Sequence, residues 1–148
     1  MYVRHLKNGE IQMNLYYTDS HGPDQQALRN GFDYSYQLAM STNCSEIFFG
    51  GHTKIQLGAN TFENVFGKNF MRSLLKGIAY FNNIVINMFT ERINPPSYQS
   101  SIIFVPNINT EFLQKLINNN PNASIIYIPW TKNELKFVLT VFPTAKVI

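Results

Sequence analysis

The sequence predicts an α/β fold, a three-layer sandwich around a largely parallel sheet of the Rossmann-like or flavodoxin-like kind, with an antiparallel hairpin at one edge near the amino terminus. The main observation is a repeat: SIIFVPNINTEFLQKL at 101–116 recurs in similar form as SIIYIPWTKNELKFVL at 124–139. Each copy has an apolar, β-rich run, a proline and a helix start. Two consecutive strand–helix units place their strands parallel with a right-handed crossover.

The two apolar runs of the repeat, 102–105 and 125–128, are too short for helices. They also lack the polar alternation of a sheet with one face in water, which predicts strands buried on both sides. Pro106 and Pro129 follow directly and remove the backbone donor that would continue the ladder. Each strand is therefore expected to end at its proline.

Both helix starts carry capping residues. Thr131 and Glu134 have the spacing of a capping box, in which each side chain accepts from a free backbone N–H of the first turn. In the first copy we expect Asn109 or Thr110 to cap, with Glu111 near the positive end of the helix dipole. We favour similar geometry selecting similar residues over a true duplication as the origin of the repeat, because unrelated strand–helix units share these signals.

The same alternation of strands and helices continues towards the amino terminus. Apolar runs at 46–51 and 82–89 predict two further strands. Apolar residues at steps of three and four predict an amphipathic helix over 60–81, loosened or kinked at Gly67. Another helix is predicted over 23–40, with a proline where the first turn tolerates one.

The first segment differs from the rest. The Asn8-Gly9 pair favours a tight hairpin, and apolar residues alternate with polar ones along 10–17. We therefore expect this strand to pair antiparallel at an edge of the sheet. With a short last strand at 145–148, the order is β, β, α, β, α, β, β, α, β, α, β. No linker or composition break divides it, which predicts one α/β domain over 1–148.

Composition limits the function classes. The 148 residues are 45% hydrophobic, and no apolar run approaches the ~20 residues that a membrane helix needs. The amino terminus turns polar within a few residues, so we expect no secretory signal and a cytoplasmic location. The single cysteine, Cys44, cannot form an internal disulfide and fits a reducing compartment. The 12 basic residues, against 9 acidic, are spread along the chain, which argues against a nucleic-acid partner.

In open parallel sheets, ligands bind beyond the carboxyl ends of the strands, so the loops at those ends are the candidate site. These loops are 18–24, 50–54, 90–96, 105–109 and 128–133. His21 and His52 fall in this set with Asp19 and Asp24, and we expect the four to line one cleft as catalytic candidates. They could also hold a metal ion, but their spacing matches no metal signature, so no metal site is predicted. Aspartates are also ordinary turn and cap residues.

Four other residues are candidates for binding a cofactor or substrate. Arg92 and Asn107 would approach the cleft from neighbouring loops, and Gly51 could let a phosphate reach backbone donors. Trp130 could stack on a base or sugar, or pack over the edge of the sheet. Neither G-x-G-x-x-G nor G-x-x-x-x-G-K-[ST] occurs, so the pattern supports only a generic anion site and leaves the cofactor unknown.

Two functional hypotheses follow. In the first, the chain binds a nucleotide or another anionic small molecule at these loops, with hydrolase or transferase activity as an open extension. In the second, it is a non-catalytic module that binds another protein or forms a homo-oligomer, in keeping with its 12 Phe and 8 Tyr. Polar and titratable residues in the predicted loops favour the first hypothesis.

Overall fold

A computed structural model describes residues 14–97 and 101–148. Its elements are β1 (Asn14–Tyr17), α1 (Gln25–Ser41), β2 (Glu46–Gly50), α2 (Lys54–Leu57), α3 (Asn60–Phe66), α4 (Lys68–Leu75), β3 (Ile78–Phe81), β4 (Ile84–Phe89), β5 (Ile102–Pro106), α5 (Thr110–Asn119), β6 (Ser124–Ile128), α6 (Lys132–Val141) and β7 (Lys146–Val147). Within these residues, no helix has both the length and the apolar character that a membrane span requires.

The strands form one sheet in the order β3-β4-β2-β5-β6-β1-β7. All neighbours are parallel except the antiparallel pair of β3 and β4. Helices α1 to α4 cover one face of the sheet, and α5 and α6 cover the other. The prediction of a three-layer α/β fold with a largely parallel sheet is therefore confirmed.

The two strands of the repeat are adjacent and parallel, as predicted. All five residues of β5 are buried. Ile102 and Phe104 face the core beneath α1, whereas Ile103 and Val105 face the core beneath α5. Because successive side chains of a strand point to opposite faces, an unbroken apolar run is what a strand between two helix layers requires.

The predicted helix starts are also confirmed. Thr131 and Glu134 form the capping box at α6. At α5 the cap is Asn109, whose side chain accepts from the Phe112 N–H at 2.8 Å, and Glu111 lies in the first turn. Of the two residues considered for this cap, Thr110 is instead the first residue of the helix.

The single helix predicted over 60–81 is wrong. The segment forms α3, α4 and β3. Gly67 separates the helices with φ 90° and ψ 154°, a conformation that only glycine adopts readily, so the helix ends there instead of kinking. Ile78 belongs to β3, and a two-residue turn beginning at Asn82, which has φ 52°, returns the chain into β4.

The antiparallel hairpin predicted at the amino terminus lies mostly outside the described residues, but the described part of its second strand, β1, is not at an edge of the sheet. β1 lies between β6 and β7 and is parallel to both. Leu15 and Tyr17 face one core and Tyr16 faces the other, so the apparent alternation does not mark a face in water. The Asn8-Gly9 turn lies outside the described residues. Within the described residues the antiparallel pair is β3 with β4, at the opposite edge, and the short last strand is confirmed as β7.

Burial of both sheet faces generates a stability prediction. Ile126 in β6 is 0% exposed. Ile126→Asp places an unpaired charge in the core at a cost of several kcal/mol, out of a total stability of roughly 5–15 kcal/mol. We expect the variant to lose its cooperative thermal transition in circular dichroism. Leu139→Asp, at a position on α6 that is 51% exposed, is the matched control and should melt like the wild type. A soluble, cooperatively melting Ile126→Asp protein would contradict the burial.

Candidate functional site

The carboxyl edge of the sheet contains a crevice between β2 and β5. The connection after β2 leads to α2 on one face of the sheet, whereas the connection after β5 leads to α5 on the other. Where connections from neighbouring strands diverge to opposite faces, the strand ends leave a gap in which α/β proteins bind ligands. The loop 107–109 forms one wall of this crevice.

Three hydrogen bonds to its backbone hold the 107–109 loop in place. Asn107 is left-handed, with φ 65°. Its N–H donates to the Ile128 carbonyl at 2.8 Å, and its carbonyl accepts from Gln56 Nε2 at 2.9 Å. The next carbonyl, of Ile108, accepts from the Tyr127 hydroxyl at 2.7 Å. The loop therefore has a fixed position relative to β6 and α2.

His52 fastens the same loop to two others. Its Nε2 accepts from the Asn109 N–H at 2.8 Å, so Nδ1 carries the ring proton and donates to Glu91 Oε1 at 2.7 Å. The imidazole also lies against the Phe112 ring, with 5.4 Å between centroids. His52 thus joins the loops that follow β2, β4 and β5. Both ring nitrogens are used in that role, which makes His52 a positioning residue in this structure.

Two cavities open at this edge, one on each side of α2. The first has a volume of about 300 Å³, and we call it the Trp130 cavity. Its lining residues are Gln56, Ala59, Thr61, Phe62, Asn107 and Trp130. The second has a volume of about 590 Å³ and is lined by residues 52–55 and 90–93. We call it the Arg92 cleft.

The Trp130 cavity has two unusual features. Asn107 Oδ1 is buried without a hydrogen-bond partner within the described residues. Such an acceptor costs about 1–3 kcal/mol if it stays unpaired. Trp130, of which 42% is exposed, lines the cavity with its large aromatic side chain and is not packed away over the sheet edge. The cavity is therefore lined by an accessible aromatic surface and by a residue whose buried side-chain acceptor is unsatisfied.

The predicted catalytic residues are not all gathered at one cavity. His52 lines the Arg92 cleft, but His21, Asp19 and Asp24 line neither that cleft nor the Trp130 cavity. Two strands stand between β1 and β2, so their ends lie about 14 Å apart. His21 and Asp19 are exposed, and Asp24 caps α1 by accepting from the Ala27 N–H at 3.0 Å. A catalytic role for these four residues stays a prediction.

The predicted binding residues divide between the two cavities. Asn107 and Trp130 line the first, and Arg92 lines the second with Lys54. Gly51 is buried, and a Cβ there would lie 2.8 Å from the Gln56 side chain, so close packing requires glycine. Its N–H already donates to the Phe89 carbonyl at 3.2 Å. A cofactor role for Gly51 and Arg92 therefore stays a prediction.

Residues 14–97 and 101–148 contain no group of three or more His, Cys, Asp or Glu side chains placed to hold a metal ion. The suggested ligand set of Asp19, His21, Asp24 and His52 is thus not assembled. Sequence reasoning missed Gln56, although Thr53 and Gln56 have the spacing of a capping box. Thr53 does accept from the Gln56 N–H at 3.1 Å, but the Gln56 side chain accepts from the His52 N–H instead of returning to Thr53.

The positioning role of His52 can be tested by mutating it, with His21 as the control. His52→Ala removes the contacts to Asn109 and Glu91, and we expect it to lower the free energy of unfolding by about 1 kcal/mol, because the Glu91 side chain is 38% exposed and the pair is partly screened. His21→Ala is the control, since His21 is exposed, and should change nothing. Urea denaturation of both variants measures the difference. Equal stabilities would contradict the positioning role.

The buried hydroxyl of Tyr127 predicts how the free energy of unfolding depends on pH. Burial, and secondarily the nearby Glu134 carboxylate, raises the pKa of the Tyr127 hydroxyl well above its ordinary value of 10.0. Folding therefore favours the neutral hydroxyl, and this contribution to stability is present below about pH 10 and lost as the pH rises towards the folded-state pKa. Tyr127→Phe should lose about 1–3 kcal/mol at neutral pH, because the Ile108 carbonyl loses its donor. Its remaining stability should fall less steeply than that of the wild type above pH 10, as measured by urea denaturation across that range. Parallel curves would contradict the assignment.

Comparisons with known proteins add no identity to this geometry. No family model, no curated protein and no solved structure matches the chain.

Proposed function

We propose that this chain binds a nucleotide and holds the base in the Trp130 cavity. The observation that carries the proposal is the unpartnered Oδ1 of Asn107. The backbone around it is well satisfied: both backbone groups of Asn107, the Ile108 carbonyl, and the N–H and carbonyl of Asn109 all have partners. A donor from a ligand would satisfy the one acceptor that this loop leaves unpaired, and it would recover part of the cost of burying it.

The walls of the cavity favour a flat, uncharged group. Trp130 offers a partly exposed indole, and Phe62 and Ala59 are apolar. No ionisable side chain of residues 14–97 or 101–148 lines the cavity. Stacking of a base on an aromatic side chain contributes about 1–3 kcal/mol. A volume of about 300 Å³ lies at the lower end of the range for small-molecule sites, which suits one ring system better than a whole dinucleotide.

The Asn107 amide supports adenine among the bases. An asparagine amide has an acceptor and a donor side by side, which match the amino group and the neighbouring ring nitrogen of adenine. Oδ1 has almost no accessible surface in this structure, so a rotation of the Asn107 side chain would bring it to the cavity, where it would accept from the adenine amino group. The sugar and phosphates would then extend towards solvent, where Lys132 is exposed two residues after Trp130. This arrangement accounts for an anionic ligand without a charged residue in the cavity.

The rigidity of the loop supports binding as the function of the site. Asn107 is held in the left-handed conformation by hydrogen bonds to Ile128 and Gln56, so its side chain starts from a fixed backbone position. A recognition group that is already ordered loses little conformational entropy when the ligand arrives. We assign no reaction to the site, because both nitrogens of His52 are engaged in holding the loops.

The single tryptophan of the chain makes the test direct, because all indole fluorescence comes from Trp130. We expect adenosine, AMP and ATP to quench or shift this fluorescence in a saturable way. Inosine has a carbonyl in place of the amino group, so two acceptors would meet at Asn107. It should bind at least about tenfold more weakly than adenosine. Isothermal titration calorimetry with the same ligands gives the affinities independently of the fluorophore.

A pair of variants isolates the contribution of the Asn107 side chain. Asn107→Gly keeps the left-handed backbone and removes the amide, and it should abolish the preference for adenosine over inosine. Asn43→Gly makes the same change at another left-handed asparagine, in the turn that precedes β2, and should bind like the wild type. Unchanged fluorescence with every nucleotide, or an intact preference in Asn107→Gly, would contradict the proposal. Binding of saccharides alone would also contradict it.

A further inference from the structure

The strand β3 presents an unprotected edge. It is the outer strand of the sheet that the described residues form. Ile78 is 48% exposed, Tyr80 70% and Phe81 38%. Proteins usually protect such edges with charges, prolines or very short strands, because unpaired backbone groups recruit other strands. The opposite edge follows this rule, since β7 has two residues and one is Lys146. β3 contains neither a charge nor a proline.

The backbone of β3 offers hydrogen-bonding groups on its outer side. In an antiparallel ladder, alternate residues bond to the neighbouring strand. The Gly77 carbonyl accepts from the Met88 N–H at 2.9 Å. The alternation therefore directs the backbone N–H and C=O groups of Ile78 and Tyr80 away from β4. Among the described residues, no strand receives them.

Among the helices that the structure describes, none covers the sheet surface beside this edge. The side chains of Ile78 and Tyr80 lie on the same face as Val85 of β4 and Phe48 of β2. That face is covered by α5 and α6 farther along the sheet, but of β3 and β4 only Phe89 belongs to the core beneath them. That surface is mixed: Ile78, Tyr80 and Val85 are apolar or aromatic, whereas Asn87, which lies opposite Ile78, donates to the Glu46 carboxylate at 2.8 Å.

We infer that β3 pairs with β3 of a second copy of this chain, antiparallel, about a two-fold axis through Ala79. Ile78 of one copy then lies opposite Tyr80 of the other, and the same pair occurs twice. Both residues direct their backbone groups outward, so each pair exchanges two hydrogen bonds. Pairs of an aromatic and a β-branched side chain are favourable across strands. The pattern is thus complementary to itself, as a closed two-fold interface requires.

The charges near β3 are compatible with this arrangement. The pairing places Lys76 of one copy beside the turn residue Asn82 of the other. Lys76 is the C-cap of α4 and precedes the four-residue strand, so the two Lys76 residues lie beyond opposite ends of the ladder. No like charges meet, and the dimer leaves no free β3 edge. Because the paired strands are short, we expect a weak, concentration-dependent dimer.

Analytical ultracentrifugation over a wide concentration range tests the dimer. We expect the wild type to show a monomer–dimer equilibrium. Tyr80→Lys adds a charge to the edge and should raise the dissociation constant at least about tenfold, with an unchanged melting temperature. Ile55→Lys is the matched control, because Ile55 is 88% exposed but lies on α2 at the carboxyl edge, and should dimerise like the wild type. A monomeric wild type, or a Tyr80→Lys protein that dimerises normally, would overturn the inference.

A cross-linking experiment tests the register and does not depend on how Tyr80→Lys folds. Ile78→Cys and Tyr80→Cys are made separately in a Cys44→Ser background. Opposed residues of a hydrogen-bonded pair have Cα atoms about 5.5 Å apart, within disulfide range. A mixture of the two variants should therefore form a disulfide-linked dimer on mild oxidation, and neither variant alone should. Cross-linking of each variant alone to the same extent as the mixture, or no cross-linking of the mixture, would overturn the two-fold axis at Ala79.

Discussion

The architecture depends on removing both faces of the central strands from water. β5 and β6 are apolar at consecutive positions, so a helix layer on only one face would leave half of their side chains in solvent. Both faces are covered because the connections between strands lead to helices on opposite sides of the sheet. The divergence opens the crevice at the carboxyl edge, and the Asn107 N–H extends the hydrogen bonding between β5 and β6 one residue beyond Pro106. The candidate site is therefore a direct continuation of the sheet.

Local signals in the sequence predict the elements better than they predict the arrangement. The buried strands of the repeat and the caps at Asn109 and Thr131 follow from residue type and spacing, because each signal acts over a few positions. The prediction of one helix over 60–81 is wrong for the same reason, namely that it rests on a pattern that acts over only a few positions. The apolar residues of this segment fit a helical stripe, and only the backbone conformation of Gly67 and the pairing of β3 with β4 decide otherwise. The place of β1 between β6 and β7 is set by long-range packing, which no short pattern encodes.

The candidate site was predictable in part. The rule that ligands bind beyond strand ends selects Asn107 and Trp130, because both follow a predicted strand directly. The rule does not give the strand order, and that order separates His21 from His52 by two strands. Phe62 and Gln56 come from the connection after β2, and their approach to the cavity depends on the fold of α2 and α3. The orphaned Asn107 oxygen is a property of three-dimensional packing and has no sequence signal.

The non-glycine residues with positive φ in the described chain are all asparagines: Asn43, Asn82, Asn94 and Asn107. Asparagine adopts the left-handed conformation at lower cost than most other residues. Substitution to asparagine in a tight turn therefore costs little stability. Unlike glycine, it brings a side-chain amide to each turn that it occupies. At Asn107 a residue suited to backbone geometry also stands beside a cavity. Aspartate and histidine are enriched in the same backbone region, so ligand preference could evolve at this position through single substitutions while the turn is conserved.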